Sequence, residues 1–356
     1  MSTFKTIKNN KPVSDSIVKS YLKNPKFGER CTDYMAHIHY QNGKWTNHEI
    51  IPYQNLSLPP STSVFHYGQE IFEGLKAYKW ANGVAHVFRP GENAERFQKS
   101  ATRVALPPLP VNDFVDAITK ALSLDQRWIP TGENMSLYIR PFMIATEAFI
   151  GLRAAEVADF YVIFSPVGAY VEGVAKIWLE TKYFRATPGG TGAAKCGGNY
   201  AASLLAKMLA HEKGCTDSLY LDAKTAKYIE EFSGMSFFAV QSDGTLISPK
   251  ISDTILDSIT RKSIIQIAKD NKIKFVEKDI DYKKLLADIK SKKIAEVFAC
   301  GTAAVVSPVG VIKGEGFEVT VGDGKFGKIS KFLKEELVGI QRGEKPDKHK
   351  WMVAVK

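Results

Sequence analysis

The chain has little cysteine. Its 356 residues include four, Cys31, Cys196, Cys215 and Cys300; none forms a CxxC pair, and their spacing matches neither a zinc site nor a disulfide framework. That usage points to a reducing compartment, so a cytoplasmic protein is expected. No apolar run nears the ~18 residues of a membrane helix, and the opening stretch "MSTFKTIKNNKPVSDSIVKSYL" has no apolar signal core. No membrane partner is therefore expected. Fixed-period repeats and low-complexity tracts are absent. So are an HExxH and a G-x-S-x-G, and no metal site is expected. The glycine-rich "GGTGAAKCGG" fails both phosphate-loop patterns: the third glycine of a dinucleotide fingerprint falls on Lys195, and no GK precedes Ser or Thr. An arginine-rich arm and an aromatic RNA-binding signature are missing too, although the net charge is +10, from 48 Lys and Arg against 38 Asp and Glu. The lysines are spread along the chain, which suits solvated faces and the attraction of small anions, so no nucleic-acid partner is expected.

What is present is an ordinary soluble composition, 44% hydrophobic and 24% charged. At roughly 100–200 residues per domain, the length predicts two domains. Residues 1–30 read as a polar arm. "YMAHIHY" and "GKWTNHEIIPY" alternate as strands around "QNGK"; "VAHVF", "SLYIRPFMI" and "DFYVIFS" are further strands. "NAERFQKSATRVALP" and "VNDFVDAITKAL" have helical spacing, the second with Asn112 as its cap. "SPVGAYVEG" reads as an interdomain connector. It divides a first domain, 1–165, from a second, 175–356, with a linker over 166–174. Beyond it come strand "AKIWLET", the loop "RATPGGTG", a helix from Asn199 to Gly214, and strands "SLYLD", "YIEEF" and "MSFFAVQ". The helix "TRKSIIQIAKDN", a second helix "DYKKLLADIKS", strand "AEVFACG" and a closing helix follow. Strands joined by short turns and mixed with helices predict an α+β fold with mixed or antiparallel sheets.

The chemistry centres on "GAAKCGGNYAAS". An amine is nucleophilic only when neutral, and small apolar neighbours desolvate it while leaving room for a flat ring. A surface loop lysine is the commoner reading of such a stretch taken alone. A Schiff-base lysine working with pyridoxal phosphate needs companions: an acid for the pyridine nitrogen, and cationic and N–H donors for the phosphate. "YIEEFSGMSFF" offers Glu230 or Glu231, of which strand alternation turns one inward. Arg89 stands at a strand end ahead of a helix. Ile259 and Thr260 stand at a helix start, where Thr260 is equally suited to be a plain cap. Gly301 and Thr302 follow an apolar strand, as a donor turn or a simple hairpin corner.

In this order the segments "FHYGQEIFEGLKAY", "VFRPGENAERF", "LYIRPFMI", "SPVGAYV", "AKCGGNYAASL", "EEFSGMSFF", "LDSITRKS" and "FACGTAAVVSPVG" resemble the branched-chain amino-acid aminotransferases, fold-type IV pyridoxal-phosphate enzymes. The resemblance implies a two-domain α+β fold with the cofactor, pyridoxal 5'-phosphate, in the interdomain cleft and bound by the large domain. It implies that Lys195 bears the cofactor and shuttles the substrate Cα proton, that Tyr200 sits by the ring hydroxyl, and that Glu231 is the pyridine acid. Arg89, Ile259, Thr260 and Thr302 are implied phosphate ligands. Tyr67, with the amides of Ala303 and Ala304, is implied at the substrate carboxylate; Phe72, Tyr138 and Tyr170 at the side-chain pocket; Arg140 at the distal carboxylate of 2-oxoglutarate or glutamate. Leu152 resembles a residue that reaches into the partner subunit's site, in a homodimer or larger assembly. The implied activity is ping-pong amino transfer between leucine, isoleucine or valine and 2-oxoglutarate. D-amino-acid transaminase and aminodeoxychorismate lyase share the scaffold and are the nearest alternatives; a basic nucleic-acid-binding protein is a remote one. The chain departs from the family at "SGMS", where Gly234 replaces a hydroxyl-bearing residue, and at "AAVVS", which lacks the redox CxxC of animal members.

Overall fold

Period-2 segments become strands and 3.6-period segments become helices, because each buries its apolar face against the other. The computed structural model describes residues 3–168 and 173–355. In chain order the first half holds β1 (Lys5–Thr6), α1 (Asp15–Tyr21), β2 (Tyr34–Gln41), β3 (Lys44–Pro52), α2 (Ser63–Tyr67), β4 (Glu70–Phe72), β5 (Leu75–Lys79), β6 (Ala85–Phe88), α3 (Pro90–Arg103), α4 (Val111–Asp125), β7 (Ser136–Ala145) and β8 (Ala158–Val167). The strands order as β1-β3-β2-β8-β7-β5-β6, with β4 beside β7. Only β1 with β3 is parallel. The expected arm is thus tied down: Lys5 and Thr6 extend the sheet, and Arg127 holds the Val13 carbonyl at 2.6 Å. Phe97 of α3, Phe114 of α4 and Phe160 of β8 meet with centroids 5.3, 5.4 and 5.6 Å apart, which pins both helices to one face. Removing such a ring costs about 3–5 kcal/mol. Helix α4 begins at Val111 with Pro110 in the cap position, two residues ahead of the expected cap Asn112; proline's fixed φ suits a helix entry.

The second half holds β9 (Ala175–Glu180), α5 (Gly197–Glu212), β10 (Asp217–Leu221), β11 (Ile229–Phe232), β12 (Ser236–Gln241), β13 (Leu246–Ser248), α6 (Ile259–Asp270), β14 (Phe275–Glu277), α7 (Tyr282–Lys290), β15 (Ile294–Gly301), β16 (Val305–Gly314), β17 (Phe317–Thr320) and α8 (Lys328–Gln341). The order is β11-β10-β9-β16-β15-β12-β13-β14, with β17 on β16. Strand β11 also pairs with β12, so β11, β10, β9, β16, β15 and β12 close into a ring around a core that includes Phe232 and Phe237. Parallel and antiparallel pairs mix, as expected for an α+β chain.

The last strand, β18 (Met352–Ala354), pairs with β6 of the first sheet. The chain accordingly divides into one compact unit of Met1–Tyr170, Ala194–Gly197 and Ile340–Lys356, and another of Val171–Ala193 and Gly198–Gly339. The expected second domain, 175–356, therefore gives up its tail. Gln341 explains why: its side chain accepts from the Tyr78 hydroxyl at 2.9 Å and its carbonyl from the Trp80 indole at 3.0 Å. The expected linker lies partly outside the described residues. Among the described residues, no helix is long and apolar enough to cross a membrane.

Candidate active site

In the first unit, Lys195 lies in the short excursion Ala194–Gly197 and is held by its backbone. Its amide donates to Ser100 Oγ at 2.9 Å, and its carbonyl accepts the Phe72 amide at 3.0 Å. The Gly197 amide donates to Glu70. With the main chain clamped on both sides, the Nζ lies 4.6 Å from the centre of the Phe72 ring. Ala194 is buried but Ala193 is exposed, so an aromatic ring beside the amine replaces one of the expected alanine walls. Cys196 packs into the core of the first unit.

Phe72 is shared. The Arg140 guanidinium carbon lies 4.8 Å from its centroid, and Arg140 donates to the Tyr138 hydroxyl at 3.1 Å. Tyr138 fits because residue 74 is glycine; any Cβ there would meet its hydroxyl. Lys195, Phe72, Arg140 and Tyr138 thus form one contiguous group. Tyr67 stands apart: it is partly exposed at the end of α2 and donates to the Ile150 carbonyl. Leu152 is 83% exposed. Tyr170 lies outside the described residues.

Arg89 is the last residue before α3 and holds a left-handed backbone, φ 47° and ψ 47°. Its amide donates to the Trp351 carbonyl at 2.7 Å, its guanidinium lies 5.0 Å from the Trp351 ring, and it donates to Glu92 at 3.0 Å. A non-glycine residue in this region carries about 1–3 kcal/mol of strain, which the tail containing Trp351 helps to offset.

In the second unit, Glu230 and Glu231 are both buried, although alternation turns them to opposite faces. Only one of them can therefore point into the ring, yet both are buried, because β11 belongs to a closed ring covered inside and out. Their environments differ. Glu231 pairs with Arg185 at 2.6 Å and accepts the Leu256 amide at 2.9 Å. Glu230 accepts the Thr254 hydroxyl, and burial pushes its pKa up to about 7. One carboxyl is held by a cation; the other drifts toward neutrality.

Leu256 leads directly to α6. Ser258, not Thr260, is the cap: its hydroxyl accepts the Arg261 amide at 3.2 Å. The first four amides of a helix lack partners within it, so the amides of Ile259 and Thr260 remain at the open end. Tyr200, on α5, lies beside Gly234, where a Cβ would sit 3.8 Å from its ring. The same turn backs onto Gly301, next to the hairpin Thr302–Ala303–Ala304. Val305 closes that hairpin at φ +60°, a strained angle for a β-branched residue, and such strain concentrates at functional sites. Tyr200 and the 302–304 turn thus flank the Gly234 turn, and Glu231 reaches the segment that leads into Ile259 and Thr260.

Sequence reasoning missed the supporting residues. Glu73, in "FEG", is fully buried; Arg96 donates to both its oxygens, at 2.7 and 2.8 Å, and Asn93 donates at 2.7 Å. Burial pushes the Glu73 pKa up, but Arg96, Asn93 and the Lys195 ammonium outweigh that and hold it below the usual range. Arg185, besides pairing with Glu231, donates to the carbonyls of Gly192 and Thr254 at 2.8 and 2.6 Å. Glu73, a charge inside the largely apolar "IFEGL", was the one available signal; Arg96 in "NAERFQKS" and Arg185 in "TKYFRATPGG" carry none.

The family model for Amino-transferase class IV matches residues 70–312. The branched-chain-amino-acid aminotransferase of Mycolicibacterium smegmatis is 46% identical over 352 residues, covering 97% of this chain and 96% of that protein. Among solved structures, the branched-chain amino acid aminotransferase of Escherichia coli aligns with a TM-score of 0.75 at 28% identity, covering 91% of this chain and 99% of that one. A T.th. branched-chain amino acid aminotransferase complexed with N-(5'-phosphopyridoxyl)-L-glutamate aligns with a TM-score of 0.71 at 28% identity, covering 90% and 99%. The family match spans most of the chain and every described candidate residue from Phe72 to Ala304, and the chain belongs to the class IV aminotransferases.

Proposed function

We propose that this protein is a branched-chain-amino-acid aminotransferase that exchanges the amino group of leucine, isoleucine or valine with 2-oxoglutarate, using pyridoxal 5'-phosphate. The observation that carries the reading is the near-full-length match at 46% identity to an enzyme of that name. The donor set fits the cofactor: an ion-paired carboxylate, a tyrosine, helix-start amides and a strained turn for a phosphate, and a lysine whose backbone is clamped. The phosphopyridoxyl-glutamate bound to the T.th. relative supports both cofactor and acceptor.

When bound, the cofactor supplies an electron sink for the pair released as the substrate Cα–H bond breaks. Lys195 would bear it and move the proton off the substrate Cα through Nζ. Glu231, paired with Arg185, would accept the ring N–H and keep that nitrogen protonated. Tyr200 would meet the ring hydroxyl; Arg89, Ile259, Thr260 and Thr302 would bind the phosphate. Tyr67, Ala303 and Ala304 take the α-carboxylate, and Phe72, Tyr138 and Tyr170 the branched side chain. Arg140, resting on two aromatic rings, takes the distal carboxylate of the acceptor. A second copy would supply Leu152, in a cytoplasmic homodimer. The test is 2-oxo acid formation from L-leucine with and without 2-oxoglutarate. Acceptor-dependent turnover, at least about 10³-fold lower in Lys195→Ala, is expected; turnover without acceptor, or with D-amino acids only, would sink the reading.

A further inference from the structure

We propose that His37, His39 and Asp159 form a binding site for a divalent transition-metal ion, zinc above all, on the first sheet. The proposal stands independently of the aminotransferase reading and runs against the absence of a metal site expected from sequence motifs.

The backbone makes the site. His37 and His39 are two apart on β2, so both side chains leave the same face. Asp159 on β8 is the register partner of His39 and the diagonal neighbour of His37. Three ligand-bearing side chains are thereby placed by two hydrogen-bonded strands, without reliance on a loop. His37 Nε2 lies 2.6 Å and His39 Nδ1 2.8 Å from the same atom, Asp159 Oδ1, and all three ligand atoms lie within 4.8 Å of one another. Around a tetrahedral zinc with bonds of about 2.0–2.2 Å, ligand atoms sit about 3.3 Å apart, so small side-chain rotations convert this cluster into a chelate.

The surroundings pre-set the ligands. The Thr146 hydroxyl donates to Asp159 Oδ2, leaving Oδ1 aimed at the imidazoles. The Tyr161 ring stacks on His37 at 4.8 Å with planes 14° apart, which fixes the plane of that imidazole. Such outer contacts are what orient metal ligands elsewhere. The imidazoles are 19% and 24% exposed, so an ion has a route in and water can complete the coordination. Two imidazole nitrogens and one carboxylate select a borderline ion over calcium or magnesium, which take oxygen ligands. An ion here would clip β2 to β8.

The test uses tag-free holoenzyme, stripped with chelator and dialysed. Zinc per chain is measured after gel filtration, Co²⁺ absorption is recorded, and melting is followed with and without zinc. One zinc per chain, tetrahedral Co²⁺ bands and a zinc-dependent rise in Tm are expected. Each should be lost, or the affinity weakened at least tenfold, in Asp159→Asn and in the His37→Gln/His39→Gln double variant. His39→Asn alone serves if the double variant does not fold. Wild type that takes up no zinc, or folded variants that bind it as well as wild type, would overturn the proposal.

Discussion

Each unit buries a glutamate–arginine pair, and the two pairs are built differently. In the first unit, Arg96 grips both oxygens of Glu73, with Asn93 and the Gly74 amide added. In the second, Arg185 and the Leu256 amide both reach one oxygen, Oε1, of Glu231. The Glu73 pair ties α3 to the strand–turn stretch beneath Phe72, which in turn holds the Lys195 carbonyl. The Glu231 pair aims a charge from a strand of the closed ring. Arginine with carboxylate can thus be a brace or an electrostatic tool, according to what the pair ties together.

The largest effect should come from breaking the brace. Arg96→Leu leaves Glu73 charged and buried, and should lower unfolding stability by about 3–5 kcal/mol, read from the denaturant midpoint. If it unfolds no more easily than wild type, Glu73 is not such a support. Next is the tool: Glu231→Gln keeps the shape and removes the charge, and should reduce kcat about 10²-fold while the protein stays folded. A drop in stability with unchanged kcat would reverse the two roles. The smallest effect concerns the neighbour. Glu230 has its pKa raised by burial from 4.5 to about 7. The folded state therefore holds that proton more tightly than the unfolded one; the stability it provides is fully present below about pH 4.5 and is lost as pH rises through about 7. Glu230→Gln should raise Tm relative to wild type at pH 8.5 and leave it nearly unchanged at pH 4. Equal shifts at both pH values would show that the carboxyl does not titrate in this range.

Much of the secondary structure was legible. The alternation in "YMAHIHY" and "SLYIRPFMI" and the helical spacing of Phe97 and Ala101 survive into the fold because core burial rewards those periods. Short elements were not legible: β4, β18 and the parallel β1 are two or three residues long, and only their partners make them strands. Helix starts moved by a few residues, to Val111 and Gly197, because caps are decided by the hydrogen bonds available locally. At the site, the sequence marks Lys195, Arg89 and Glu231 through their motifs. It does not mark Arg185 or Arg96, whose partners lie 46 and 23 residues away.

By itself the sequence determined which groups this protein has to work with: one lysine in a glycine-rich stretch, paired glutamates before an apolar strand, and a Ser-Ile-Thr helix entry. These are local patterns, and local stereochemistry constrains them. Only the tertiary structure decided how each group is held. It put Phe72 beside the lysine amine, gave Arg185 to Glu231 and pushed the Glu230 pKa up to about 7. It also returned the tail to the first sheet and set two histidines against Asp159. Those outcomes depend on strand pairing between distant segments, where register, not residue type, selects the neighbour.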